Sequence, residues 1–192
     1  MPVVEHPRPA RRRFGAVGAL LATVLVLGAC GSGGSDESSD SDAGVDSSET
    51  DTQAGPFFGE CGSVTDDEVV SLMGVTAFDL ITRDSVGCSW EITGEAMPSV
   101  AFSWYRGSPI ARERAGSEMI GRPAEDIEVD GHPGFQGVGY SALTGAAVLC
   151  EIGIDFGADF QHWSINYGAT PPAADPCEVA RELAQLSIGR SQ

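Results

Sequence analysis

The chain has 192 residues, with 28 acidic side chains against 11 basic ones, a formal net charge of −17 and no lysine. A surface of that sign repels phosphate backbones, so nucleic acid is a poor partner. The missing lysine also removes P-loop and Ser-Lys chemistry.

Arg8 and the run Arg11, Arg12, Arg13 precede an apolar stretch from Phe14 to Leu27, which ends in Leu27-Gly28-Ala29-Cys30. A charged segment, a short apolar segment and a small-residue site form the order of an export signal. The apolar stretch is about 14 residues, short of the roughly 20 needed to cross a bilayer. The tetrad resembles the lipobox of exported bacterial lipoproteins. Residues 1–29 are therefore expected to be removed as a lipoprotein signal peptide, leaving Cys30 as an N-terminus that carries diacylglycerol and a palmitate-type acyl chain. Each buried methylene of such an anchor contributes about 0.8 kcal/mol, and two or more chains hold a protein stably on a membrane. The expected location is the cell membrane, lipid-anchored, on the extracytoplasmic face.

Loss of the signal would remove four arginines and Glu5, leaving seven basic against twenty-seven acidic residues. After Cys30, residues 30–56 are Gly, Ser, Asp, Glu and Thr with almost no apolar side chains, a composition that cannot offset ordering entropy. This reads as a disordered acidic tether spanning about 30 Å. Residues 57–192 then suffice for one domain with its own core.

Thr65-Asp66-Asp67-Glu68 matches a capping box, with Val69, Val70, Leu72 and Met73 following and Gly74 as a stop. Gly87–Thr93 and Ser99–Tyr105 alternate with period two, and the turn-like 94–98 joins them into a hairpin. Residues 109–120 have helical composition with Pro109 near the first turn. Residues 125–130 and 135–140 read as strands around a turn at 131–134, and 146–154 and 159–167 as two more strands. Asp175 caps a last helix, with Pro176 at its first position, Val179, Leu183 and Leu186 on one face, and Gly189 at its end. The order predicts an α+β fold, an antiparallel sheet of about six strands with helices packed on one face.

With Cys30 acylated, Cys61, Cys88, Cys150 and Cys177 remain, an even number in an oxidising compartment. No Cys-x-x-Cys pair occurs, which argues against a zinc knuckle or a redox site. Of three possible pairings, Cys61 with Cys88 and Cys150 with Cys177 lets each Cys that opens a predicted helix reach a predicted strand. Each closes a loop of about 27 residues, worth about 3 kcal/mol.

No catalytic set assembles from the sequence. His132, in Asp130-Gly131-His132-Pro133-Gly134, is expected as a solvent-facing turn residue and His162, beside Trp163, as a half-exposed strand residue; two isolated histidines make no familiar metal site. Asp155 and Asp159 lack the spacing of a calcium loop and read as a solvated turn. Glu125, Asp126, Glu128 and Asp130 read as a charge run in water. No Gly-x-Ser-x-Gly elbow is present. No cofactor or metal is expected. Trp90, Trp104 and Trp163 fall on the apolar side of three strands, where they either fill the core or line a groove that binds an apolar ligand or a peptide.

Cys30 with its tether, Cys61 ahead of the helix at Thr65, the Gly87-Cys88-Ser89-Trp90 strand and the late Asp175-Pro176-Cys177 together resemble a family of actinobacterial lipoproteins that carry a domain of unknown function. The resemblance covers nearly the whole chain and departs at Gly59-Glu60, where Asp-Pro would precede Cys61. It implies an exported, disulfide-bonded α+β domain, similar in outline to the extracellular sensor domains of actinobacterial receptor kinases, and no catalytic residues. The resulting expectation is a non-enzymatic envelope protein, held on the membrane by its lipid, that binds a protein partner or an envelope ligand. A carrier or chaperone for a lipid or glycolipid is the alternative and requires an apolar cavity at the three tryptophans. A hydrolase would require His132 or His162 to meet a buried Ser or Asp in a cleft.

Overall fold

Helix caps and strand alternation build the chain from Gly55 onward. A computed structural model describes residues 55–94 and 96–192, all within one compact unit, Ser47–Gln192. The expected signal, the acylated Cys30 and the tether up to residue 54 lie outside the described residues. Helix α1 (Asp66–Met73) opens on the full capping box, Glu68 N donating to Thr65 Oγ1 and Thr65 N to Glu68 Oε2, and ends at left-handed Gly74. Helix α3 (Pro176–Gly189) opens on Asp175, whose carboxylate accepts from Cys177 N and Glu178 N. These ends form where expected because each cap and its partner lie within three residues.

The strands are β1 (Leu80–Arg83), β2 (Gly87–Glu91), β3 (Ser99–Tyr105), β4 (Ala124–Val129), β5 (His132–Tyr140), β6 (Ala147–Asp155) and β7 (Phe160–Asn166). They form one sheet in the order β1-β2-β3-β7-β6-β5-β4, every neighbouring pair antiparallel. The α+β class holds, with seven strands rather than about six. The added strand, β1, is an edge whose side chains are exposed except for half-buried Ile81, so its sequence carries no alternation. Between β4 and β5 the turn is Asp130-Gly131 alone, with φ of 50° and 82°. Two consecutive left-handed residues match the right-handed strand twist, so the pair closes the hairpin and draws His132 and Pro133 into β5.

Alternation gives the sheet two unlike faces. Cys88, Trp90, Val100, Phe102, Cys150, Ile152, Trp163 and Ile165 project toward α1 and α3 and are buried with Val179, Leu183 and Ala184. Helix α2 (Ile110–Met119) lies on the other face, with Ser117 against Gly137 and Glu151. The expectation of helices on one face therefore holds for α1 and α3 and not for α2. Disulfides join Cys61 to Cys88 and Cys150 to Cys177, fixing the turn at Glu60–Ser63 to β2 and the first turn of α3 to β6.

The sheet has two ends. Gly55, where the chain enters, donates its N–H to Asp159 beside the 156–159 connection, at the end that also holds 84–86, 106–109 and 130–131. The connections 92–98, 119–123, 141–146 and 167–175 lie at the opposite end. Gly55 and Pro56, expected in the tether, are the first of the described residues.

Candidate functional site

Helix α2 has almost no apolar face; Ser117 is its one buried side chain. Polar contacts hold it instead. Arg114 pairs with Asp126 and donates to Ala124 O at 2.8 Å, and Ser117 Oγ donates to Arg122 O at 3.0 Å. Arg122, just past the helix, grips Glu151 on β6 with Nε and Nη2, each at 2.9 Å. The close approach depends on Gly137: a Cβ there would lie 2.4 Å from Ser117 Oγ and 3.1 Å from Glu151 Oε1.

Glu151 is 4% exposed. His162 on β7 faces it, with Nε2 3.6 Å from Oε2, longer than a hydrogen bond; among the described residues Nε2 has no hydrogen-bond partner. Burial pushes the Glu151 carboxyl up, but the imidazole facing it from His162, the two Arg122 N–H groups and the guanidinium charge outweigh burial and hold the group at about 2. A carboxylate that is ionised throughout the physiological range and occupied on both oxygens by a planar fork is a weak base. Its chemistry here is to latch a helix onto a sheet. His162, expected to be half-exposed, is 8% exposed. Ser103 is its cross-strand neighbour, yet among the described residues no hydrogen bond joins a serine to it.

Ser117, Arg122 and Glu151 are not legible as a unit, because Glu151 lies 29 residues beyond Arg122. One signal pointed to them: Glu151 interrupts the otherwise apolar or small run Ala147–Ile154, and a charge inside a buried strand needs a partner.

The tryptophans take the first of the two places expected for them, the core, and not the ligand groove. Trp90 and Trp163 are fully buried and Trp104 is 9% exposed. Trp90 stacks on Trp163 at 6.3 Å, Phe102 tilts against Trp163 at 4.8 Å, and Phe58 meets Trp104 edge-on at 4.7 Å. The three indoles fill the core and line no groove, because α1 and α3 close over that face and Phe58 plugs its end. The apolar cavity that a lipid carrier would need at these residues is absent from the described residues.

Other candidates also land away from their expected places. His132 lies in β5 with its ring 4.5 Å from that of Phe156, since the turn before it is shorter than expected. Asp159 is not in a solvated turn: 4% exposed, it accepts from Gly55 N at 2.9 Å and Gly107 N at 2.7 Å, with Arg106 Nε at 3.5 Å. Asp126 and Glu128 are exposed on edge strand β4, where charges guard an unpaired edge. Among the described residues no group of three or more His, Cys, Asp or Glu side chains is placed to hold a metal ion.

Beyond α2, the same sheet face is uncovered over β2, β3 and β7. Its floor is Ser89, Ser99 and Ala101, and with Glu91, Met97 and Asn166 at the rim it forms a hollow of about 420 Å³. Small polar side chains and open access suit contact with a surface or a polar ligand better than enclosure of an apolar one.

The family described as protein of unknown function DUF3558 matches residues 25–190. The chain belongs to the DUF3558 family. Two relatives provisionally named lipoprotein LprB, from Mycobacterium tuberculosis and Mycobacterium bovis, are 40% identical over 190 residues, covering 96% of this chain and 99% of their own length. A relative of the same name from Mycobacterium leprae is 38% identical over 177 residues, covering 90% of this chain and 91% of its own. No solved structure matches this chain. The DUF3558 match takes in Cys30 and all four bridging cysteines, so the acylation candidate and both disulfides belong to one family span.

Proposed function

We propose that this DUF3558 protein is a lipid-anchored component of the cell envelope, displayed on the extracytoplasmic face, whose domain is a non-enzymatic, sensor-like module that binds a protein partner or an envelope ligand. One observation carries the anchor: Leu27-Gly28-Ala29-Cys30 falls inside the family match, in a chain aligned over nearly its whole length with relatives named as lipoproteins. Two disulfides support an oxidising compartment, and the acidic, lysine-free composition supports a role away from nucleic acid. The non-enzymatic reading is supported by the Glu151 cluster, where the most strongly perturbed buried acid is occupied by Arg122 and serves packing. The uncovered face over β2, β3 and β7 is the surface best suited to binding.

The test of the anchor is fractionation of a Cys30→Ala variant expressed in an actinobacterial host. The variant is expected to stay folded and to leave the membrane fraction; retention in that fraction after a high-salt wash would overturn the reading. The binding role is tested on the same soluble variant by comparing native and Ala101→Arg chains for capture of envelope fractions. Identical capture by both would remove the uncovered face as the binding surface.

A further inference from the structure

Residues 106–122 cross one face of the sheet as a span held at its two ends. At the first end Asp159 accepts from Gly107 N at 2.7 Å and lies 3.5 Å from Arg106 Nε. At the other, Arg122 grips Glu151 through two N–H groups. Both anchors are buried carboxylates, and stripping such a group of its partners is costly, so the two ends stay docked.

Between the anchors the span is lightly fastened. Helix α1 sends Val69 and Met73 into the core and α3 sends Val179, Ala180, Leu183 and Ala184, whereas α2 sends no side chain there. Residues 108–121 contain no cysteine, so neither disulfide fastens them. What holds α2 down is Arg114, reaching Asp126 and Ala124 O, and the Ser117 hydroxyl on Arg122 O. Water satisfies such groups almost as well, so their net hold is small. Just inside each anchor lies a left-handed glycine, Gly107 with φ of 64° and Gly121 with φ of 83°. A Cβ at either would meet nothing within 4 Å. Gly121 also stops the helix, but Gly107 follows a strand, and the open space leaves both backbones room to turn.

The floor beneath tolerates exposure. Phe135 is 1% exposed, yet it stands outside the core built around Trp90, Ile152 and Trp163. Its ring lies over Gly153, where a Cβ would come within 2.5 Å. The first turn of α2 does not close onto it: Ile110, Ala111 and Arg114 leave a cleft of about 190 Å³ above Pro133 and Phe135. Lifting α2 therefore wets one aromatic ring and a set of small and polar groups, not the core.

We infer that α2 is a hinged cover. Residues 108–121 lift as a unit about Gly107 and Gly121 while Arg106 and Arg122 stay in place. Lifting uncovers Phe135 and joins the outer side of β5 and β6 to the open face over β2, β3 and β7. Closed, the cover withholds part of that face; open, it offers an aromatic ring on a glycine floor to an apolar group of the bound partner or ligand. The use of the face rests on the proposed function, whereas the lifting belongs to the free protein. Segments with few buried apolar contacts open in this way while the core stays intact.

Hydrogen exchange of the full chain, in water and below about 1 M urea, reads the cover without any ligand. The amides of 114–119 are expected to exchange together, about 100-fold or more faster than those of Leu183 and Ala184 on α3, at a rate that urea barely changes. Gly107→Ala strains only the closed, left-handed backbone and is expected to speed exchange of α2 about fivefold while α3 is unmoved. Hydroxyl-radical labelling adds a second readout, because Phe135 and Phe102 are equally buried, at 1% and 2% exposed. Phe135 is expected to be labelled several-fold faster, and faster still in Gly107→Ala. Exchange of α2 with the rate and urea dependence of α3 would overturn the cover. So would fraying inward from the helix ends with Phe135 labelled no faster than Phe102. A cover that opens while native and Ala101→Arg chains capture envelope fractions equally would leave the hinge standing and overturn only the face it serves.

Discussion

The indole N–H of Trp90 donates to Asp66 Oδ1 at 2.8 Å, so one carboxylate in the first turn of α1 fastens that helix to the centre of the core. The same carboxylate receives Arg83 from β1 at 2.7 Å. The Trp90 hydrogen bond, ahead of the Arg83 contacts and against partial burial, holds the Asp66 carboxyl below its usual range. Asp66→Ala is expected to cost about 1–3 kcal/mol, because it strands a buried indole donor. Urea denaturation followed by tryptophan fluorescence checks this, and Asp66→Asn, which keeps an acceptor, is expected to lose less.

Arg122 and Glu151 form the latch of α2. Arg122→Met leaves a buried carboxylate without its counter-charge and is expected to destabilise the domain by about 3–5 kcal/mol. The double variant Arg122→Met, Glu151→Leu removes both charges and is expected to recover most of that loss. A double-mutant cycle of unfolding free energies gives the coupling; additive single losses would contradict the latch.

The same pair sets an acid limit. Glu151 is held at about 2 in the folded state against an ordinary value of 4.5. A depressed carboxyl contributes stability that is fully present above the unfolded value and is lost as pH falls toward the folded one. That contribution, up to about 3 kcal/mol, is expected to disappear between about pH 4.5 and pH 2. Glu68, also held at about 2 by Arg190 and Thr65, is present in both the native chain and a Glu151→Gln variant, so the difference between their denaturation midpoints across that window isolates Glu151.

How far these features could be read beforehand follows their range along the chain. The caps at Thr65 and Asp175 were legible because cap and partner are three residues apart or fewer. Helix α2 was legible as a helix but not as to face, since its burial rests on Ser117 and on Arg122 reaching Glu151 twenty-nine residues away. Strand β1 was missed because an exposed edge of four residues needs no alternation; pairing of Ile81 with Trp90 places it. The turn takes only Asp130 and Gly131 of the expected loop, which leaves His132 in the strand. Trp90, Trp104 and Trp163 were legible as inward-facing, while the absence of a groove depended on Phe58 and on α1 and α3.

At Gly137 the sheet packs tightly under α2, with no room for a Cβ beside Ser117. Gly137→Ala is expected to destabilise by about 1–3 kcal/mol, the cost of overpacking a tight contact. Because the nearest atom is Ser117 Oγ at 2.4 Å, adding Ser117→Ala is expected to relieve part of the loss. Thermal midpoints of the two single variants and the pair decide it.

The intact mass of the protein, extracted from its own membrane in detergent and left unreduced, tests the lipid anchor most directly. The expected mass is that of a polypeptide beginning at Cys30, increased by a diacylglyceryl group and lacking the hydrogens of two disulfides. A chain that retains residues 1–29, or one that starts at Cys30 with an unmodified or bridged thiol, would contradict it.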